Sequence, residues 1–308
     1  MKRNTPIDDT PDTRKSNRLS RAATVSTRSV EASGVCYAYR ELGPESPSDP
    51  TPIVFLQRFR GTLDDWDPGF VDELAKTRNV ILFSDAAVGS STGSAATDVD
   101  RKGRNAAEFL RSLGHDTVDV LGFSMGGFVA QAIAINEPML VRKIVLVGTG
   151  PGGNPENDPP TDIVGKIAMH PNYTFEDIRY LFFAVGREKE TQESIDRIAS
   201  RTEDREPVVG PDVVGAMRQL TADFMNGKTG HFSRLRDLRQ PVLIVSGDRD
   251  PFFPVKNQWL LYRELPNAQL AVYANAGHAP HHQHPFEVAA QIEYFLVTSW
   301  RSPGFGAE

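Results

Sequence analysis

The sequence predicts an α/β chain: a mostly parallel sheet with helices on both faces. Three observations carry this. Short apolar runs bounded by turn formers recur along the chain, helix-like segments stand between them, and no fixed-period repeat points to a solenoid or propeller. The 308 residues suffice for one large α/β domain or two smaller ones.

The strands are taken in order. GVCYAYREL (34–42) is rich in β-branched and aromatic residues. PIVFLQ (52–57) is a continuous apolar run, as a strand covered on both faces requires. The pattern repeats at 79–85 (NVILFSD), 117–123 (TVDVLGF), 142–148 (RKIVLVG) and 241–247 (PVLIVSG), and more weakly at 268–274. Helices are expected at 67–76, with acids in its first turn, and at 98–114, closed by Gly114. Two more are expected at 126–138, stopped by a proline, and at 285–300. Such alternation implies parallel pairing.

The alternation breaks between about 150 and 235. Residues 150–162 (GPGGNPENDPPTD) read as an irregular excursion. Three amphipathic segments follow without strands between them: TFEDIRYLFFAV, TQESIDRIASR and GPDVVGAMRQLTADFM. We therefore expect a core of residues 25–149 and 236–303, with residues 150–235 as a helical cap insertion. Open α/β sheets bind ligands beyond the C-terminal ends of their strands, where such an insertion would lie. Residues 1–24, rich in Arg, Ser and Thr, are expected to be a disordered tail.

Composition narrows the function classes. The 34 basic residues are outnumbered by 40 acidic ones, net −6, so no basic field invites nucleic acid. Cys36 is the only cysteine, which excludes an internal disulfide and disfavours a cysteine-based zinc site. No apolar run is long enough for a membrane span. A cytoplasmic location is expected. Mitochondrial targeting by the tail stays open, although Asp8, Asp9 and Asp12 argue against it. The oligomeric state is not legible.

The chemistry centres on Gly122-Phe123-Ser124-Met125-Gly126, a G-x-S-x-G between a strand and a helix. Glycines relieve crowding in so sharp a turn, and the helix N-terminus offers free N–H groups to a developing negative charge. A serine hydroxyl is a weak nucleophile that needs a base and a group to orient that base. Acids are available in LIVSGDRDPFFP (243–254) and histidines in ANAGHAPHHQHP (274–285).

With these motifs the chain resembles the α/β-hydrolase superfamily over about residues 30–300. The resemblance implies Asp250 as the acid, three residues after Gly247 in G-x-x-D, and His278 as the base after Gly277. Asp248 is the fallback acid, with a turn or cap as its ordinary role. His281, His282 and His284 are expected on the surface or at a helix start rather than at a metal, since no matching carboxylate or cysteine set is apparent. No metal and no organic cofactor is called for.

Acyl transfer also needs N–H donors for the oxyanion. Met125 is one. By the family's loop after an early strand, usually His-Gly-x-x-G, Phe59 is the second. This chain departs from that pattern and reads Gln57-Arg58-Phe59-Arg60-Gly61. Arg58 has two readings: an ion-pair partner, with Asp85 as its candidate, or a pocket residue favouring an anionic substrate. Trp66 matches a tryptophan familiar in this family. Arg58 and Trp66 are thus the candidate substrate contacts.

The implied function is a serine hydrolase, esterase- or lactonase-like, acting on a small-molecule carboxylic ester, thioester or lactone. Serine at the elbow speaks against the dehalogenases and epoxide hydrolases that use aspartate. Within the superfamily the alternatives are cofactor-free perhydrolase (haloperoxidase-like) and carbon–carbon bond hydrolase chemistry. From another class, a non-catalytic small-molecule-binding protein on the same fold remains.

Overall fold

A computed structural model describes residues 21–160 and 162–299. Eight strands form one sheet: β1 (Arg28–Ala32), β2 (Val35–Leu42), β3 (Ile53–Leu56), β4 (Val80–Phe83), β5 (Val118–Phe123), β6 (Val141–Val147), β7 (Val242–Gly247) and β8 (Ala268–Tyr273). Their order is β1-β2-β4-β3-β5-β6-β7-β8. The first two strands run antiparallel, and β3 to β8 are parallel. This is the α/β-hydrolase architecture that the motifs imply. β1, rich in charged and exposed residues, is a strand that the apolar pattern does not reveal.

Side chains alternate between two apolar layers, as the period of a strand dictates. Val54, Leu56, Ile144 and Leu146 face the layer of α3 (Val99–Ser112), α4 (Met125–Asn136) and α9 (Val255–Glu264). Phe55, Phe123, Val145 and Val147 face that of α2 (Pro68–Leu74) and α11 (Pro285–Val297). The helix α9 carries no strong apolar stripe in the sequence and is an addition to the expected elements.

Between β6 and β7 stand α5 (Asp162–Ile167), α6 (Phe175–Phe182), α7 (Glu188–Ala199) and α8 (Pro211–Met225), then a 3₁₀ turn over Phe232–Asp237. Of the expected disordered tail, residues 1–20 lie outside the described residues. Residues 21–24 correct that expectation: they form α1 (Arg21–Thr24), with Ala22 and Ala23 buried. The Ala22 N–H donates to the Asp72 carboxylate at 2.8 Å, and Arg201 donates to the Ala23 and Val25 carbonyls at 3.3 and 3.0 Å.

Arg201 belongs to a strap, residues 201–206, that ties the helical segment to the sheet. Its centre is buried Asp64, which pairs with buried Arg40 of β2 at 2.8 Å and with Arg201 at 3.4 Å. The Glu206 N–H donates to the second Asp64 oxygen at 2.7 Å. The Glu206 carboxylate in turn accepts from Ser84 at 3.2 Å and from the Ser90 N–H at 2.8 Å.

Removing one partner of a buried pair leaves an uncompensated charge, whereas replacing the pair by apolar groups costs far less. Asp64→Ala should therefore lower unfolding free energy by about 3–5 kcal/mol. The double variant Asp64→Leu/Arg40→Met should lose less, with denaturant midpoints as the readout.

Candidate active site

The site forms where β5, β3 and β6 end side by side. Ser124 closes β5 with φ 54° and ψ −118°, a conformation that L residues avoid. Its N–H donates to the Val147 carbonyl at 2.9 Å, and its carbonyl accepts from Gly127 at 2.9 Å. Space for the turn is made by its flanking glycines. A methyl on Gly122 would meet the Gly126 carbonyl, and one on Gly126 would meet that of Leu56. The helix α4 starts at the next residue.

Asp250 and His278 come from the loops after β7 and β8. His278 Nδ1 lies 2.9 Å from Asp250 Oδ2, and both residues are buried. Asp250 is held by its other oxygen, which accepts from the N–H groups of Phe252 and Phe253 at 2.8 and 2.9 Å. The fallback acid, Asp248, accepts instead from the Ala276 N–H at 3.3 Å. His278 rests over Gly148, which ends β6 at φ 51° and leaves no room for a Cβ beneath the His278 carbonyl and ring. Phe123, Phe252 and Phe253 pack around the imidazole. The Ser124 hydroxyl makes no hydrogen bond to the imidazole in this structure. Apo sites often tighten that bond only with substrate.

Ser124, Met125 and Phe59 share the wall of a cavity of about 360 Å³, with Phe128, Phe252 and Phe253 among its apolar lining. Among the described residues, the Phe59 and Met125 N–H groups have no protein acceptor. Phe252 and Phe253 thus join the cavity to His278.

The departing loop is held by side chains. Gln57 accepts from the Arg58 N–H at 2.8 Å and donates to the Thr62 carbonyl at 3.0 Å. Arg58 pairs with Asp65 at 2.6 Å, donates to the Phe59 carbonyl at 2.9 Å and stacks on Phe182. The expected partner, Asp85, is corrected: it pairs with Lys102, the nearer cation on α3. Arg58 does not line the cavity over Ser124. The left-handed residue in the loop is Arg60, at φ 61°, not Arg58. Arg60 donates to the Ala168, His170 and Pro171 carbonyls at 3.1, 2.6 and 2.9 Å.

Trp66 is also corrected as a substrate contact. It is buried under the site, edge-on to Phe55 and beside Phe123, and is absent from the cavity wall. His281 and His282 do start a helix, α10 (Pro280–Gln283), but they are buried, not on the surface. Their register against Phe70 and Phe123 is invisible in the sequence. Among the described residues no group of three or more His, Cys, Asp or Glu is arranged to hold a metal. No helix among them is long and apolar enough to cross a membrane.

The family profile of the alpha/beta hydrolase fold matches residues 51–285. The chain belongs to this family. A solved alpha/beta hydrolase fold protein from Chitinophaga pinensis is 32% identical, with a TM-score of 0.81, covering 91% of this chain and 99% of that one. A pimeloyl-[acyl-carrier protein] methyl ester esterase from Aromatoleum aromaticum is 31% identical over 194 residues, 58% of this chain and 73% of that protein. A 2-hydroxy-6-oxononadienedioate/2-hydroxy-6-oxononatrienedioate hydrolase from Pseudomonas putida is 31% identical over 183 residues, 57% of this α/β-hydrolase chain and 61% of its own length.

Burial sets the protonation of the histidines behind the site. It pulls His281 well below the ordinary imidazole value and His282 down to about 4. Both are neutral in the fold. Between about 6.5 and about 4 the unfolded chain takes up protons that the native chain refuses. The stability they contribute is full above 6.5 and falls as pH drops towards 4. Urea midpoints should therefore decline over that window, and the decline should be shallower in His282→Gln.

Proposed function

We propose that the protein is a serine hydrolase that cleaves a carboxylic ester, thioester or lactone through an acyl-enzyme, with residues 150–235 acting as the cap over the site. The observation behind this is the buried Asp250–His278 pair packed on Phe123, the residue that precedes a strained Ser124 on the wall of an apolar cavity. Asp250 holds Nδ1 and leaves Nε2 as the imidazole's free base. His278 takes the Ser124 proton as Oγ attacks the carbonyl carbon.

The tetrahedral oxyanion lies against the N–H groups of Phe59 and Met125, the second at the positive end of α4. Collapse expels the alcohol, thiol or lactone hydroxyl with the proton from His278. Water, deprotonated by the same imidazole, then attacks the acyl-enzyme and releases the acid. The phenylalanine-lined cavity suits an apolar acyl group. The pimeloyl-[acyl-carrier protein] methyl ester esterase, by its name, acts on the same bond class.

A panel of p-nitrophenyl esters, thioesters and lactones tests this. Ser124→Ala should lower kcat by on the order of 10⁴-fold or more. A fluorophosphonate should label Ser124 and leave the alanine variant unlabelled. Full turnover by a clean Ser124→Ala preparation would overturn the assignment.

A further inference from the structure

The cavity over Ser124 is mostly apolar, with Ser124, Thr221 and Asn226 as its neutral polar residues. Among the described residues on its wall, Arg218 of α8 is the single charged side chain. It stands on the face of the helix that also presents Thr221, Ala222 and Met225 to the cavity, the spacing of one helical stripe. It is exposed, and among the described residues it makes no ion pair or hydrogen bond. The nearby acid of the same helix, Asp223, is already engaged by Gln219 at 3.0 Å and Lys228 at 2.8 Å.

The two arginines of the loop beneath contrast with this. Arg58 is committed to Asp65, and Arg60 to three carbonyls. Neither lines the cavity over Ser124. An unpaired guanidinium on an apolar wall offers a two-pronged partner to a carboxylate.

We propose that Arg218 is the specificity-determining residue for a substrate whose acyl group is an apolar stem ending in a carboxylate. This rests on the hydrolytic reading of Ser124. Hydrolysis of such a half-ester by water would release a dicarboxylate and an alcohol. The anionic end would sit at Arg218 and the apolar stem would run along the phenylalanine-lined wall to the scissile carbonyl.

The test compares mono-p-nitrophenyl suberate with p-nitrophenyl octanoate, two esters of equal chain length. The readout is the ratio of kcat/KM, anionic over neutral. In the native protein that ratio should exceed one and fall with added salt. Arg218→Met should lower it about tenfold, Arg218→Glu further, and Arg218→Lys should recover part of it.

Binding is read separately, by calorimetry of monomethyl suberate and methyl octanoate on the Ser124→Ala protein. The preference for the anion should disappear when Arg218→Met is added. A ratio and a binding preference unmoved by Arg218→Met would overturn the proposal. Undiminished turnover by Ser124→Ala would instead strike the hydrolytic mechanism, and the calorimetric preference would still decide the role of Arg218.

Discussion

One strained peptide organises this molecule. At Ser124 the chain leaves β5 with a positive φ and enters α4 without an intervening loop. The strain is sustained because β5 lies deep in the sheet, paired on both sides, and because its glycines leave room for neighbouring carbonyls. The geometry has two consequences. It lifts the hydroxyl onto the cavity wall, and it leaves the Met125 N–H unengaged at the start of a helix. The strands on either side then decide what else is near: β3 delivers the loop of Phe59, and β6 ends in Gly148, on which His278 rests.

Charge is used in two ways around this centre. Arg40 and Arg201 are buried and both pair with Asp64, and the three fasten the strap of residues 201–206 to the sheet. Such a cluster contributes geometry more than net stability, since the pairing energy is spent against desolvation. Arg60 donates to the carbonyls of Ala168, His170 and Pro171 and so joins the helical segment between β6 and β7 to the loop carrying Phe59. Arg218 is different in kind, because it points no donor at the protein's own acids.

The four histidines of residues 278–284 show how far environment outweighs composition. His278 has a carboxylate on Nδ1, so its ring is oriented. His281 and His282, three and four positions later, are enclosed by Trp66, Phe70 and Phe123 and kept neutral by burial. His284 stacks on Tyr273 and shares a hydrogen bond with Gln283.

The sequence by itself determined the architecture and the local chemistry of the turn. Apolar runs of strand length, the helices between them and the glycines about Ser124 are short-range patterns, and backbone sterics and burial read them directly. Two N-terminal features escaped: β1 is too polar to show an apolar pattern, and α1 owes its order to Asp72 and Arg201. Tertiary packing alone settles which acid meets His278, that Arg58 and Arg60 are engaged by the protein while Arg218 is not, and that Trp66 belongs to the core. Those outcomes depend on side chains far apart in the chain: Arg58 meets Asp65 rather than Asp85 because Lys102 of α3 lies against the latter. Pairing across such separations follows from how whole elements pack, and local pattern carries no record of it.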